Sequence, residues 1–185
     1  MIYETIKKAI HHVALVTPNT LIPKLGVFLT ANRIEFYVWA EIYLVIRFVF
    51  ALAAASFLPA SLAIGIIIGI IQICSLIYLI KIVFPLEKRG LRDPARSLFF
   101  AIGHYLEIGF SMAYIYWAWG EFSRELIGRI DSIYYSFITM TTLGYGDIFP
   151  VSELTKIIAT VQTLVGMFMF AVVIGLFLSK SSQEH

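Results

Sequence analysis

Thr139-Met140-Thr141-Thr142-Leu143-Gly144-Tyr145-Gly146-Asp147 is the stretch on which the reading of this chain turns. Gly144 and Gly146 alternate with larger residues and are free to take dihedrals that other residues avoid. The stretch lies between two apolar segments and directly follows a short segment carrying Tyr134 and Tyr135. Five of its positions (Thr142, Gly144, Tyr145, Gly146 and Asp147) would coincide by chance at roughly one start position in two million at average residue frequencies. The plain alternative is a Gly-Tyr-Gly-Asp turn in an ordinary loop, since a Gly-rich turn alone is a weak signal.

The surroundings are those of a membrane protein. Of 185 residues, 59% are hydrophobic and only 14% charged, and the net charge is +2; the mean hydropathy is +0.85. Several runs reach the ~20 predominantly apolar residues that cross a bilayer as a helix. Spanning helices are expected at 36–57, 62–84, 97–119 and 152–178, with a short helix at 131–141 ahead of the glycine-containing stretch. Leu58-Pro59-Ala60-Ser61 turns the first two into a hairpin. Residues 1–15 read either as an amphipathic interfacial helix or as a frayed basic terminus, and Pro18 and Pro23 are expected to break the chain before Arg33. Tyr114, Tyr116, Trp117 and Trp119 are expected to form an aromatic belt at the end of the third span. Cys74 is the only cysteine, which excludes an intrachain disulfide. No cleavable signal-peptide pattern precedes the first span.

Basic residues set the expected topology. Lys7, Lys8, Lys24 and Arg33 precede the first span, Lys88, Arg89, Arg92 and Arg96 lie between the second and third, and Lys180 follows the last. Arg124, Arg129 and Lys156 fall on the other side. The positive-inside rule then puts both termini in the cytoplasm. The expected localisation is integral and multi-pass, in the plasma membrane. On the outer side Glu121, Glu125, Asp131, Asp147 and Glu153 outnumber the cations, giving a locally negative mouth.

TMTTLGYGD resembles the selectivity filter of the potassium channel family, and the resemblance extends over residues 97–180 as outer helix, pore helix, filter and inner helix. It implies an all-α membrane protein with four transmembrane helices, a re-entrant pore helix and an extended filter, assembled as a tetrameric channel. The carbonyls of Thr142, Leu143, Gly144 and Tyr145, with the Thr142 hydroxyl, would replace the hydration shell of K+, and Gly146 would complete the filter. Tyr134, Tyr135, Thr141 and Asp147 would support it. Tyr134 is the expected hydrogen-bond partner of Asp147, and Tyr135 is expected to face the Tyr145 ring of a neighbouring chain. Ile138 stands where some members carry a buried glutamate, and Leu143 replaces the commoner valine. Gly166 matches the family's hinge glycine, with close helix packing through a small residue as the alternative. Phe170 and Ile174 continue its stripe and are expected to line the lower cavity. Gln162 is a polar exception on the same helix.

The domain division expected is 1–35, a cytoplasmic or interfacial N-terminal segment; 36–84, a transmembrane hairpin; 85–96, a basic cytoplasmic linker; 97–180, the pore domain; and 181–185, a short tail. No span is rich in arginine, so gating charge of that kind is not expected. Four ionisable groups lie inside spans: Glu41, Arg47, His104 and Glu107. Depth along the helices allows Arg47–Glu107 or Glu41–His104 to pair between the first and third spans. The function expected is passive K+ conduction by a homotetramer embedded in lipid, with no cofactor, no nucleic-acid partner and no catalysed reaction. The alternative is a non-conducting regulatory subunit assembling with other pore-forming chains.

Overall fold

The structure, a computed structural model, describes residues 18–29, 36–83, 94–124 and 128–181. The expected helix at 1–15, Arg33, Glu125 and nearly all of the basic linker lie outside the described residues. Among the described residues six helices follow in order: α1 Pro18–Leu29, α2 Phe36–Phe57, α3 Leu62–Val83, α4 Pro94–Trp119, α5 Arg129–Met140 and α6 Glu153–Ser181. No strand occurs among the described residues; Phe122 and Pro150 form a single isolated antiparallel bridge.

Among the described residues, three helical stretches are long and apolar enough to cross a bilayer: Val38–Phe57, Ser97–Trp119 and Glu153–Leu178. α3 runs for 22 residues, and its stretch Leu62–Ile77 is apolar. Lys81 falls in the remainder. The outward face of α2 leaves Val45, Ile46 and Val49 exposed, a surface suited to hydrocarbon and not to water.

α1 corrects an expectation. Pro18 and Pro23 do not end the chain's regular structure but lie within a 12-residue helix. Pro18 occupies the first helical position, where its missing N–H would have had no intrahelical partner anyway. Pro23 removes one later hydrogen bond, but its ring is fully buried and so contributes packing. Gly26 then lets α1 press on α2: a Cβ there would stand 2.3 Å from the Trp39 ring.

α4 is the central element, touching α2, α3, α5 and α6. Small residues on α2, namely Ala51, Ala54 and Ala55, are buried in this packing and permit the close approach that membrane helices use in place of a hydrophobic driving force. The expected belt on α4 is also corrected. Tyr114 and Tyr116 are fully buried, because each hydroxyl has a hydrogen-bonding task inside the protein. The Tyr114 hydroxyl donates to the Pro59 carbonyl at 2.9 Å and accepts from the Ser61 N–H at 3.1 Å, closing the α2–α3 turn. Trp117 and Trp119 are half-buried. Trp117 lies under the Arg129 guanidinium, 3.9 Å from the ring centroid.

Candidate functional site

The pore helix α5 determines how the filter stretch leaves it. Its last residues end in a left-handed cap. The Thr142 N–H donates to the Thr139 carbonyl at 3.1 Å, and the Leu143 N–H to the Ile138 carbonyl at 2.9 Å. The Gly144 N–H also reaches Ile138, at 3.2 Å. This is the hydrogen-bond pattern usually closed by a glycine, yet Thr142 fills the left-handed position, with φ 61°. Among the described residues it is the one non-glycine with positive φ. Gly144 and Gly146 follow with φ 50° and 80°, so every second residue from 142 to 146 is left-handed.

That alternation has a directional consequence. In a trans peptide the carbonyl of one residue points opposite to the N–H of the next. The N–H groups of Leu143 and Gly144 turn back to α5, so the carbonyls of Thr142 and Leu143 turn away from it. Alternating handedness keeps successive N–H groups on one side and carbonyls on the other. All of residues 141–147 are exposed in the single chain. Leu143 is 60% exposed and Tyr145 68%. The Thr141 hydroxyl is occupied by the Phe137 carbonyl at 2.7 Å, which ties the cap to α5.

Tyr134 stacks on Tyr145 of its own chain, with centroids 6.5 Å apart and planes 4° from parallel. Desolvation, then the interaction with Asp147, raises the Tyr134 phenol above its ordinary value. Tyr135 departs from expectation. It is buried within its own chain, edge-on to Phe122 at 4.6 Å and to Tyr116 at 4.8 Å. Neighbours on an α-helix are turned about 100° from each other, so only one of two adjacent tyrosines faces the filter. After the filter, Ile148 is buried. The chain is then pinned by Ser123 N–H to the Phe149 carbonyl at 2.9 Å and Val151 N–H to the Glu121 carbonyl at 3.0 Å.

Comparison with known proteins places this geometry. A family model described as "Ion channel" matches residues 105–182. Two pore potassium channel a of Oryza sativa subsp. japonica is 39% identical over 61 residues, which is 32% of this chain and 16% of that protein. Two-pore potassium channel 1 of Arabidopsis thaliana is 36% identical over 55 residues, 30% of this chain and 14% of that protein. Residues 105–182 are thus similar to ion channels, and stretches of about 55–61 residues to two-pore potassium channels. The chain spans only a small part of the length of these curated relatives. Its pore-loop segment together with its apolar helices makes it an integral membrane protein.

Behind the pore loop runs a buried polar chain that sequence reading saw only as an isolated Gln162. The Gln162 side-chain amide donates to the Ser136 hydroxyl at 2.8 Å and the Ser136 carbonyl at 3.0 Å. Its amide oxygen accepts from the Tyr116 hydroxyl at 2.6 Å. The Ser136 hydroxyl passes its own proton to the Gly109 carbonyl at 2.7 Å. One turn along α6, Gly166 meets the end of the pore helix: a Cβ there would stand 2.4 Å from the Met140 carbonyl oxygen. Gly166 therefore makes a close helix contact here. Phe170 and Ile174 are exposed on α6 in the single chain.

Three of the four intramembrane charges, Arg47, His104 and Glu107, meet in one cluster. Arg47 bonds Glu107 through Nε at 3.0 Å and through Nη2. The Gln72 amide donates to the same carboxylate at 3.1 Å and to the Ser111 hydroxyl at 2.7 Å. His104 Nδ1 lies 3.2 Å from the other Glu107 oxygen. His104 thus meets Glu107 and not Glu41, because residues three apart on one helix are neighbours. Gln72 and Ser111 were not anticipated: a single amide or hydroxyl in an apolar run does not reveal its partner. At the C-terminal end of α2 Arg129 donates to the Leu58 carbonyl at 2.7 Å and to those of Ala54 and Ala55 at 3.3 and 3.4 Å. Arg124 pairs with Asp131 at 3.7 Å.

Proposed function

We propose that the chain is a potassium-selective channel subunit, conducting K+ passively through a homotetramer. The observation that carries the reading is the filter backbone, in which alternating left-handed residues and inward-turned N–H groups leave a row of carbonyls facing one way. Backbone oxygens so arranged replace the water of a dehydrated cation. K+ is bound by the carbonyls of Thr142, Leu143, Gly144 and Tyr145, with Gly146 closing the filter, and no other cofactor is needed. Phe170 and Ile174 line the cavity below.

Self-assembly is supported by what one chain leaves uncovered. Leu143 and Tyr145 are bulky and exposed, and so are Ile157, Val161 and Leu164 on α6. Exposed apolar side chains of this kind beside an irregular backbone call for neighbours, and identical copies around an axis provide them. Residues 97–180 form the pore domain and 36–84 a hairpin against it, with α3 as the fourth span. Residues 1–35, the linker 85–96 and the tail 181–185 lie on the cytoplasmic side of the plasma membrane. Arg47, held by Glu107, is not free to carry gating charge, which supports a channel without an arginine-rich voltage sensor.

The test is flux in liposomes holding the purified full chain. Potassium should pass faster than sodium, barium should block, and Gly144→Ala should abolish flux while the oligomer remains intact by size. Equal sodium and potassium flux, or none in an assembled protein, rejects the reading.

A further inference from the structure

The Gln162 chain sits where the inner helix and the pore helix meet, and its register is informative. Gln162 and Gly166 are one turn apart on α6, and their partners Ser136 and Met140 are one turn apart on α5. Over that turn, roughly 6 Å, the helices engage twice: once by hydrogen bonds and once by a glycine notch against a backbone oxygen. Met140 is the last residue of α5, and Thr142 begins the row of outward carbonyls two residues later.

We propose that Gln162 is a positioning residue for the selectivity filter. Through Ser136 it fixes where α5 stands against α6, and so where the Thr142 and Leu143 carbonyls point. The inference rests on the channel reading above. Gln162, Ser136 and Tyr116 are all buried to 2% exposure or less, so no water replaces a bond that is lost. Gln162 uses both ends of its amide: both donor bonds run to one pore-helix residue and the acceptor to α4. A displacement of α6 by about 1 Å along the bonds to Ser136 would carry them beyond hydrogen-bonding range. Inner and pore helices therefore move as one body at this level, and displacement of α6 reaches the filter through its first carbonyls. The Ser136 bond to Gly109 extends the junction to the outer helix.

The experiment compares the full-length protein with Gln162→Met, which keeps the length and much of the volume of the side chain but cannot form the bonds. Ser136→Ala is the second variant. Each is reconstituted in liposomes and assayed for potassium against sodium flux, with oligomer size and thermal stability measured alongside. The potassium-to-sodium flux ratio is expected to fall about tenfold in Gln162→Met, the factor that corresponds to losing about one buried hydrogen bond's worth of ion discrimination. In Ser136→Ala, which retains the carbonyl bond, it is expected to fall less. A purely structural role would lower stability and leave the ratio unchanged, and that result in an assembled Gln162→Met overturns the proposal. If Gln162→Met fails to assemble, an unchanged ratio in Ser136→Ala overturns it. Absence of selective flux in the unaltered protein rejects the channel reading itself, and the positioning role falls with it.

Discussion

At the scale of the residue, Thr142 is where the chain holds its most unusual backbone. A β-branched side chain at φ 61° costs roughly 1–2 kcal/mol relative to a right-handed conformation. Glycine would remove that cost, as it does at the neighbouring Gly144 and Gly146. The threonine brings a hydroxyl beside the first outward carbonyl, and strain persists at sites where the surroundings over-determine it and function uses it. Thr142→Gly is therefore expected to raise stability by about 1 kcal/mol while lowering potassium selectivity. Thermal unfolding and the flux ratio, measured on one preparation, check both signs; a loss of stability would contradict the strain argument. The two glycines made the unusual dihedrals at 144 and 146 legible in the sequence. The third, at Thr142, was not, because nothing in its identity departs from an ordinary extended residue. Only the helix cap that precedes it demands the left-handed turn.

At the scale of the element, α6 contrasts two glycines that look alike in sequence. Gly166 touches the end of the pore helix, with a Cβ placed 2.4 Å from the Met140 oxygen. Gly175, two and a half turns further along, has nothing within 4 Å in the single chain. Gly166→Ala must push backbone against backbone, and is expected to destabilise by about 1–3 kcal/mol. Gly175→Ala is expected to stabilise the helix by up to about 1 kcal/mol. Thermal denaturation in detergent distinguishes them, and a Gly166→Ala protein as stable as the unaltered one would deny the close contact. Element existence was readable from apolar length, and the pore helix from its place before the filter. Two features were hidden. A helix through Pro23 depends on burial of the ring, which composition does not report. The inward turn of Tyr114 and Tyr116 depends on carbonyls and an amide that only the fold brings within reach; by sequence the same tyrosines read as an interfacial belt.

At the scale of the whole molecule, the hairpin is joined to the pore segment by polar ties at two depths. The deeper one is the Arg47–Glu107 pair with Gln72, His104 and Ser111, linking α2, α3 and α4. The second is Arg129, whose position at the start of α5 and whose bonds to carbonyls at the C-terminal end of α2 tie the hairpin to α5. The cation there also opposes the negative end of the α2 dipole. The sequence narrowed the deep tie to two candidate pairs, because depth along a helix can be counted but rotation about its axis cannot. The energetics of the deep tie follow from burial. Arg47 is 6% exposed and Glu107 1%, so removing the guanidinium leaves the buried carboxylate without its bidentate counter-charge, with Gln72 and His104 beside it. Arg47→Met is expected to cost about 3–5 kcal/mol, read as a large fall in the unfolding temperature. Replacing both, Arg47→Met with Glu107→Leu, removes the stranded charge and is expected to recover most of that loss, since an apolar pair of similar volume avoids the desolvation penalty. A double-mutant cycle on thermal stability supplies the measurement. If the double variant is no more stable than Arg47→Met alone, the carboxylate is not what the arginine neutralises. The tie would then lie in the Gln72 and Ser111 contacts, which both variants leave between α3 and α4.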